Sequence, residues 1–302
     1  MAFLFPDSGI AASIFLVLFV IYTSFAASIV YEKGFKSIYT SLLLFGIFRV
    51  CGQFCGIAFA TLGYDHYQWL VAYLVFSAEG HFTLILASFH LIANAQAAAT
   101  GGSWVRPTPE QRREMKATAG TLWEKCNAYF PPSTVFHMLL IPANALIVSG
   151  GTIMLGQLPG NYNPQTVAAS EGLRTAGQVI FLSQTCVAIG LAVYVHFKEG
   201  IRHCNLYSVF LVSPFITVRG IFGVLSIYIV AMNHFDVVNY TTNGTHARFV
   251  VYEYVLSTTM EYITGCIYIS NYYFDTRFTK KNDEVQKDVQ DAFDYDDKAE
   301  KV

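Results

Sequence analysis

Four charged side chains stand in the middle of otherwise apolar stretches: Arg49, Glu79, Arg219 and Glu261. Two carboxylates shielded from water can serve as a general acid and base, while two arginines can neutralise them or hold an anion. An isolated charge at the centre of a bilayer costs roughly 2.5–3.5 kcal/mol on insertion scales, so four together would cost about 10 kcal/mol. They are therefore expected to face inward and to pair. Counting from the ends of the apolar runs puts Arg49 level with Glu79 and Arg219 level with Glu261, each on antiparallel neighbours. The sequence predicts the pairs Arg49–Glu79 and Arg219–Glu261. Arg49 meeting Glu261 would instead mean one network joining both halves.

Other polar residues fall into line with these charges. At 100° per residue, Glu253, Ser257, Glu261, Thr264, Tyr268 and Asn271 share an arc of ~80°, and Glu79, Thr83, His90 and Asn94 one of ~60°. Gln53 flanks Arg49, and Gly52 and Gly56 have the G-x-x-x-G spacing that permits close helix packing. His137 and Asn144 share a face of the fourth run, in which Pro142 and Gly150-Gly151 are expected kinks. The stripes predict a cavity lined by Arg49, Gln53, Glu79, Thr83, Arg219, Glu253, Ser257, Glu261 and Tyr268, with Gly223 and Ser226 in its wall. Sites of this kind usually hold ~300 Å³ or more.

The elements that must position these residues are seven apolar runs: 10–31, 38–63, 68–95, 134–156, 174–198, 206–232 and 248–274. Each reaches the ~20 residues with which a helix crosses ~30 Å of hydrocarbon. Of 19 Lys and Arg, two fall in the first connection, five in the third, two in the fifth and six in the tail. Only Arg174 and Arg248 fall on the opposite side. The positive-inside rule then predicts an all-α seven-transmembrane bundle over 1–275, N-terminus outside, with a disordered, charged cytoplasmic tail over 276–302. The first run exceeds a signal-peptide core and is expected to be retained. A chain 54% apolar and only 13% charged is read as an integral protein of the plasma membrane or secretory pathway, in contact with membrane lipid. The basic residues are cytoplasmic flanks and form no nucleic-acid patch.

The long third connection carries its own element. Thr108-Pro109-Glu110-Gln111 reads as a capping box. Met115, Ala119, Leu122, Trp123 and Cys126 follow at helical spacing, flanked by Arg112, Arg113, Lys116 and Lys125. That predicts an amphipathic helix over about 109–127 in the inner interface. Asn239-Tyr240-Thr241 and Asn243-Gly244-Thr245 are glycosylation acceptor triplets in a loop expected to lie outside. Cys51, Cys55, Cys186 and Cys266 lie in spans and Cys126 and Cys204 in cytoplasmic segments, so no outer-loop disulfide is available.

Several chemistries lack their residues. No span contains a lysine, which excludes a retinal Schiff base, and the usual G-protein-coupled receptor motifs are missing from the third and seventh runs. His90, His137 and His196 lack paired metal-ligand spacing, so no metal and no cofactor are expected. The stretch Ser213-Pro214-Phe215-Ile216-Thr217-Val218-Arg219-Gly220-Ile221-Phe222, with Glu261 and the Tyr262 to Tyr273 run, resembles the end of an uncharacterised fungal seven-helix membrane family. More loosely, the chain is similar to the RTA1-like lipid-translocating exporters, whose second helix 6 Arg and following Glu are replaced here by Gly223 and Leu225. The resemblance covers mainly 206–274 and implies fold and topology. Together these features predict a receptor-like sensor or translocator of a small lipophilic or amphipathic molecule. The alternatives are an intramembrane cyclase or hydrolase using Glu79 and Glu261, and a structural or assembly subunit joined through the Gly52–Gly56 face.

Overall fold

The computed structural model describes residues 3–35, 37–121, 128–156, 163–240 and 247–274, which are helical with no strand among them. Long helices follow as α1 (Pro6–Lys33), α2 (Tyr39–Leu62), α3 (Gln68–Thr100), α5 (Pro132–Thr152), α6 (Pro164–Phe197) and α7 (Cys204–Tyr228), with the short α4 (Pro109–Thr118) between α3 and α5. These six long helices have the length and apolarity to cross a membrane. They make the chain a multi-pass membrane protein. A further helical run, α8 (247–274), is α-helical over Ala247–Glu253, π-helical over Tyr254–Thr259 and α-helical again from 260. Successive long helices run in opposite directions. One end of the bundle, the N-face, carries Phe3 and the turn at 63–67; the other, the C-face, carries Gly34, α4 and Gly200.

Helix starts follow local chemistry. Proline at the first helical position opens α1, α4, α5 and α6, where no backbone donor is lost and φ is preset. The capping box at α4 forms as expected: Gln111 N donates to Thr108 Oγ1 (3.3 Å) and Thr108 N to Gln111 Oε1 (3.1 Å). The helix is shorter than its pattern suggests and stops at Thr118, where Ala119 turns extended. Leu122, Trp123, Lys125 and Cys126 lie outside the described residues. Arg112 is half-buried. It donates to the carbonyls of Ala128 (3.2 Å) and Tyr129 (2.6 Å), tying α4 to the segment before α5.

Helix α3 is the axis of the fold, in contact with α2, α5, α6 and α7. Small residues set the approaches. A methyl group on Gly52 would lie 3.3 Å from Phe76 Cβ, and one on Gly56 would lie 3.4 Å from Tyr73, so the G-x-x-x-G face is occupied by α3. Gly150 and Gly177 bring α5 and α6 together, where a Cβ at 177 would sit 2.6 Å from the Ala143 carbonyl. Aromatic rings fill the space between α1, α2 and α8: Phe19 meets Phe45 at 5.8 Å and Tyr262 at 5.4 Å, both edge-on. At the N-face, the segment 229–240 folds over the bundle. Tyr240 packs among Phe5, Phe59 and Phe249, and Asn239 Nδ2 donates to the carbonyls of Val230 (2.6 Å) and Asn233 (2.9 Å).

Candidate functional site: one carboxylate shared by two arginines

The polar arc on α8 does face inward: Glu253, Ser257, Glu261, Thr264, Tyr268 and Asn271 are all buried. At its centre Glu261 is gripped from two sides. Arg49 Nη2 lies 2.5 Å from Oε2 and Arg219 Nε 2.5 Å from Oε1. Arg49 is wholly enclosed and Glu261 is 1% exposed, so these are charge-assisted contacts in a medium that screens them little. Arg49 Nη1 also donates to Ser77 Oγ (3.2 Å) on α3, and its guanidinium lies 5.7 Å from the Phe19 ring centre. Gly80 makes the room: a Cβ there would come within 3.2 Å of Arg49 Cδ and 3.4 Å of Glu261 Oε2.

The expected Arg49–Glu79 pair is therefore corrected. Glu79 is half-buried on the opposite flank of α3, where its Oε1 accepts from Asn144 Nδ2 of α5 (2.5 Å). Depth counting placed it correctly along the axis, since Ser77 and Gly80 do meet Arg49. It could not fix rotation, and adjacent helical residues point about 100° apart. The Arg219–Glu261 pair forms as expected, and Glu261 holds the second arginine as well.

The expected cavity is corrected too. A cavity of about 70 Å³ lies between α3, α5, α6, α7 and the 229–240 segment, well below the ~300 Å³ of ordinary ligand sites. Of the residues expected to line it, Arg219, Glu253, Gly223 and Ser226 do so, joined by Ser77, Arg174, Gln178 and His234. Arg49, Gln53, Glu79, Thr83, Ser257, Glu261 and Tyr268 do not. Several of their polar atoms turn to neighbouring helices or back on their own. Tyr254 OH donates to Gln53 Oε1 (3.4 Å), the Thr83 hydroxyl to the Gly80 carbonyl (2.8 Å), and Tyr268 OH meets Ser88 Oγ (2.6 Å). The α3 stripe also winds out of the bundle, leaving His90 half-buried and Asn94 exposed.

Glu253 forms a second polar knot, one π-helical segment toward the N-face from Glu261. Tyr73 OH donates to its Oε1 (2.8 Å), and His234 Nε2 lies 3.2 Å from its Oε2. The capping segment is thus fastened to α3 and α8 through one carboxylate. Tyr73, Ser77, His81, Gln178 and His234 belong to this region although the charge pattern did not single them out. A polar residue inside an apolar run was the available signal for all but His234, which lies in the connection between two runs. His81 is fully buried with its ring 5.6 Å from Phe181, and neither ring nitrogen has a partner among the described residues. Arg49 Nε, Ser257 Oγ and Thr258 Oγ1 are likewise without one.

What this arrangement can do is limited by its charges. A carboxylate neutralised by two guanidinium groups is a poor general base, and two arginines sharing one carboxylate leave hydrogen-bond donors free for another partner. Glu79 and Glu261 flank no common cavity among those found. The histidines do not gather: His90 and His137 rings are 5.8 Å apart, whereas His196 packs on Tyr207 and Phe210. No family model, curated protein or solved structure matches the chain.

Proposed function

We propose that the chain is a seven-span membrane protein, N-terminus outside and tail in the cytoplasm, acting as a receptor-like sensor of a small lipophilic or amphipathic molecule. Helix α8 is the seventh span, and the Arg49–Glu261–Arg219 cluster is the two-state element. The observation that carries this reading is the sharing of one buried carboxylate by arginines from α2 and α7. Around it lie unpartnered polar atoms on α2, α3 and α8. A clamp that served only to hold helices together would satisfy those atoms, because each one left bare in hydrocarbon is costly. The surplus suits a cluster with a second set of partners, reached by a small shift of α7 or α8. The π-helical segment Tyr254–Thr259 sits at that point, and such segments are frequent at functional sites.

A translocator has less support, since a cavity of about 70 Å³ beside the cluster offers no path for an amphipathic molecule. The enzyme reading lacks a shared cavity for Glu79 and Glu261. The assembly reading lacks a free glycine face, because α3 covers it.

The test is a distance measurement between spin labels at Phe35→Cys and Arg202→Cys, both exposed at the C-face, in lipid nanodiscs and a cysteine-free background. Two distance populations are expected, with their ratio changed by Glu261→Gln. A single distribution that Glu261→Gln leaves unmoved would reduce the cluster to a structural clamp.

A further inference from the structure

A larger cavity lies away from the arginine cluster. A groove of about 470 Å³ runs along the outside of the bundle between α3, α5 and α6, toward the C-face. Phe89 and Phe136, stacked at 4.4 Å, line its inner side. Leu139 and Val187, both about half exposed, form its open edges. These helices are apolar on their outward faces, so the groove opens into lipid. Its mouth is built: Trp104, 37% exposed, donates from Nε1 to Glu199 Oε1 (2.6 Å), and Glu199 Oε2 accepts from Gln96 Nε2 (2.7 Å). An indole hydrogen-bonded at one edge and apolar at the other suits the membrane–water boundary.

One lining residue does not fit an apolar groove. Gln184 is 5% exposed, and its Oε1 has no partner among the described residues. It lies ten residues before Tyr194, whose ring is 6.1 Å from Trp104. At 1.5 Å per residue Gln184 is about 15 Å from the mouth, near the middle of a ~30 Å hydrocarbon layer. A bare amide oxygen at that depth calls for a donor, and the bilayer interior supplies neither water nor a polar headgroup. An ordinary acyl chain fills the volume but leaves the amide unsatisfied.

We propose that this groove binds one membrane-dissolved lipophilic alcohol, chain along the aromatic wall and hydroxyl against Gln184. A hydroxyl can donate to Oε1, which an ether of the same chain cannot do, and that donated bond is what sets the alcohol apart. The site rests on the chain being a membrane protein that takes a small lipophilic molecule, and it does not depend on the arginine cluster being a switch.

The probe is a dodecanol analogue carrying a photoreactive diazirine and an alkyne, compared with its methyl ether. Both are applied to purified protein in nanodiscs of saturated phosphatidylcholine, and adducts are mapped by mass spectrometry. The alcohol is expected to label α5 and α6 around Leu139 and Val187 saturably, about tenfold above the ether, the ratio that one hydrogen bond of ~1.4 kcal/mol provides. Gln184→Leu should erase the alcohol's excess over the ether, and Leu139→Trp should lower both. Equal labelling of the wild-type protein by alcohol and ether would overturn the proposal and leave the groove to unselective bilayer lipid. Because the alcohol-to-ether comparison needs no variant, poor folding of Gln184→Leu does not remove the test. The spin-label result on the arginine cluster can fail while this one succeeds.

Discussion

Arg49 of α2 and Glu261 of α8 meet at 2.5 Å in the centre of the bundle, with Gly80 of α3 pressed against both. The consecutive helices α2 and α3 and the distant α8 are thereby fixed at one depth. Removing one member of such a cluster leaves charge uncompensated where water cannot reach it, at roughly 3–5 kcal/mol for a buried pair.

The closeness of Gly80 gives the first prediction. Gly80→Ala places a methyl group 3.2 Å from Arg49 Cδ and 3.4 Å from Glu261 Oε2, so the pair must shift. A loss of about 1–3 kcal/mol is expected from overpacking, read as a lower midpoint in thermal or denaturant unfolding of the detergent-solubilised protein. Gly190→Ala on α6, with nothing within 4 Å of its added Cβ, is the matched control and should be neutral or slightly stabilising. Equal effects of the two substitutions would mean that Gly80 does not hold the pair's geometry.

The capping segment is held through Glu253. Glu253→Leu removes the acceptor for Tyr73 and the partner of His234 together. Backbone amides between 232 and 240 should then exchange with deuterium about tenfold faster, corresponding to ~1.4 kcal/mol of lost docking. Unchanged protection would assign the docking of this segment to Tyr240 and its aromatic neighbours alone.

Topology and sugar can be tested together. A C-terminal tag should be protected from protease on intact cells and cleaved once they are permeabilised, as fifteen basic residues on the tail's side require. Asn239 is only 3% exposed and its amide nitrogen is bonded to two carbonyls, which argues against its carrying sugar in the folded protein. Asn243 lies outside the described residues. A glycosidase-sensitive mobility shift is expected to vanish in Asn243→Gln and to persist in Asn239→Ala. Loss of the shift in Asn239→Ala alone would reverse that assignment, and cleavage of the tag on intact cells would invert the topology.

What the sequence could and could not show follows from what each signal measures. Apolar run length reports depth, and of the seven runs it marked, six are long helices apolar enough to cross a membrane. Periodicity on α8 put its six polar residues on the inward side, although the π-helical segment that interrupts it left no mark in the pattern. Depth alone could not decide between Glu79 and Gly80 as the face of α3 that meets α2. The predicted central cavity failed for a related reason. Polar stripes show which residues avoid lipid, but not that Phe19, Phe45 and Tyr262 fill the space beside them. Gln178 and Gln184 stand out in α6 as polar residues within an apolar run, and only the packing shows that each reaches a cavity.

The sharing of Glu261 is tested most directly by double-mutant cycles on unfolding free energy in one detergent. The cycles combine Arg49→Met with Glu261→Gln, Arg219→Met with Glu261→Gln, and Arg49→Met with Glu79→Gln. The first two should each show a coupling of about 1–3 kcal/mol, as expected of contacting charges, and the third less than ~0.5 kcal/mol. A large Arg49–Glu79 coupling with none between Arg49 and Glu261 would contradict the shared carboxylate and restore two separate pairs.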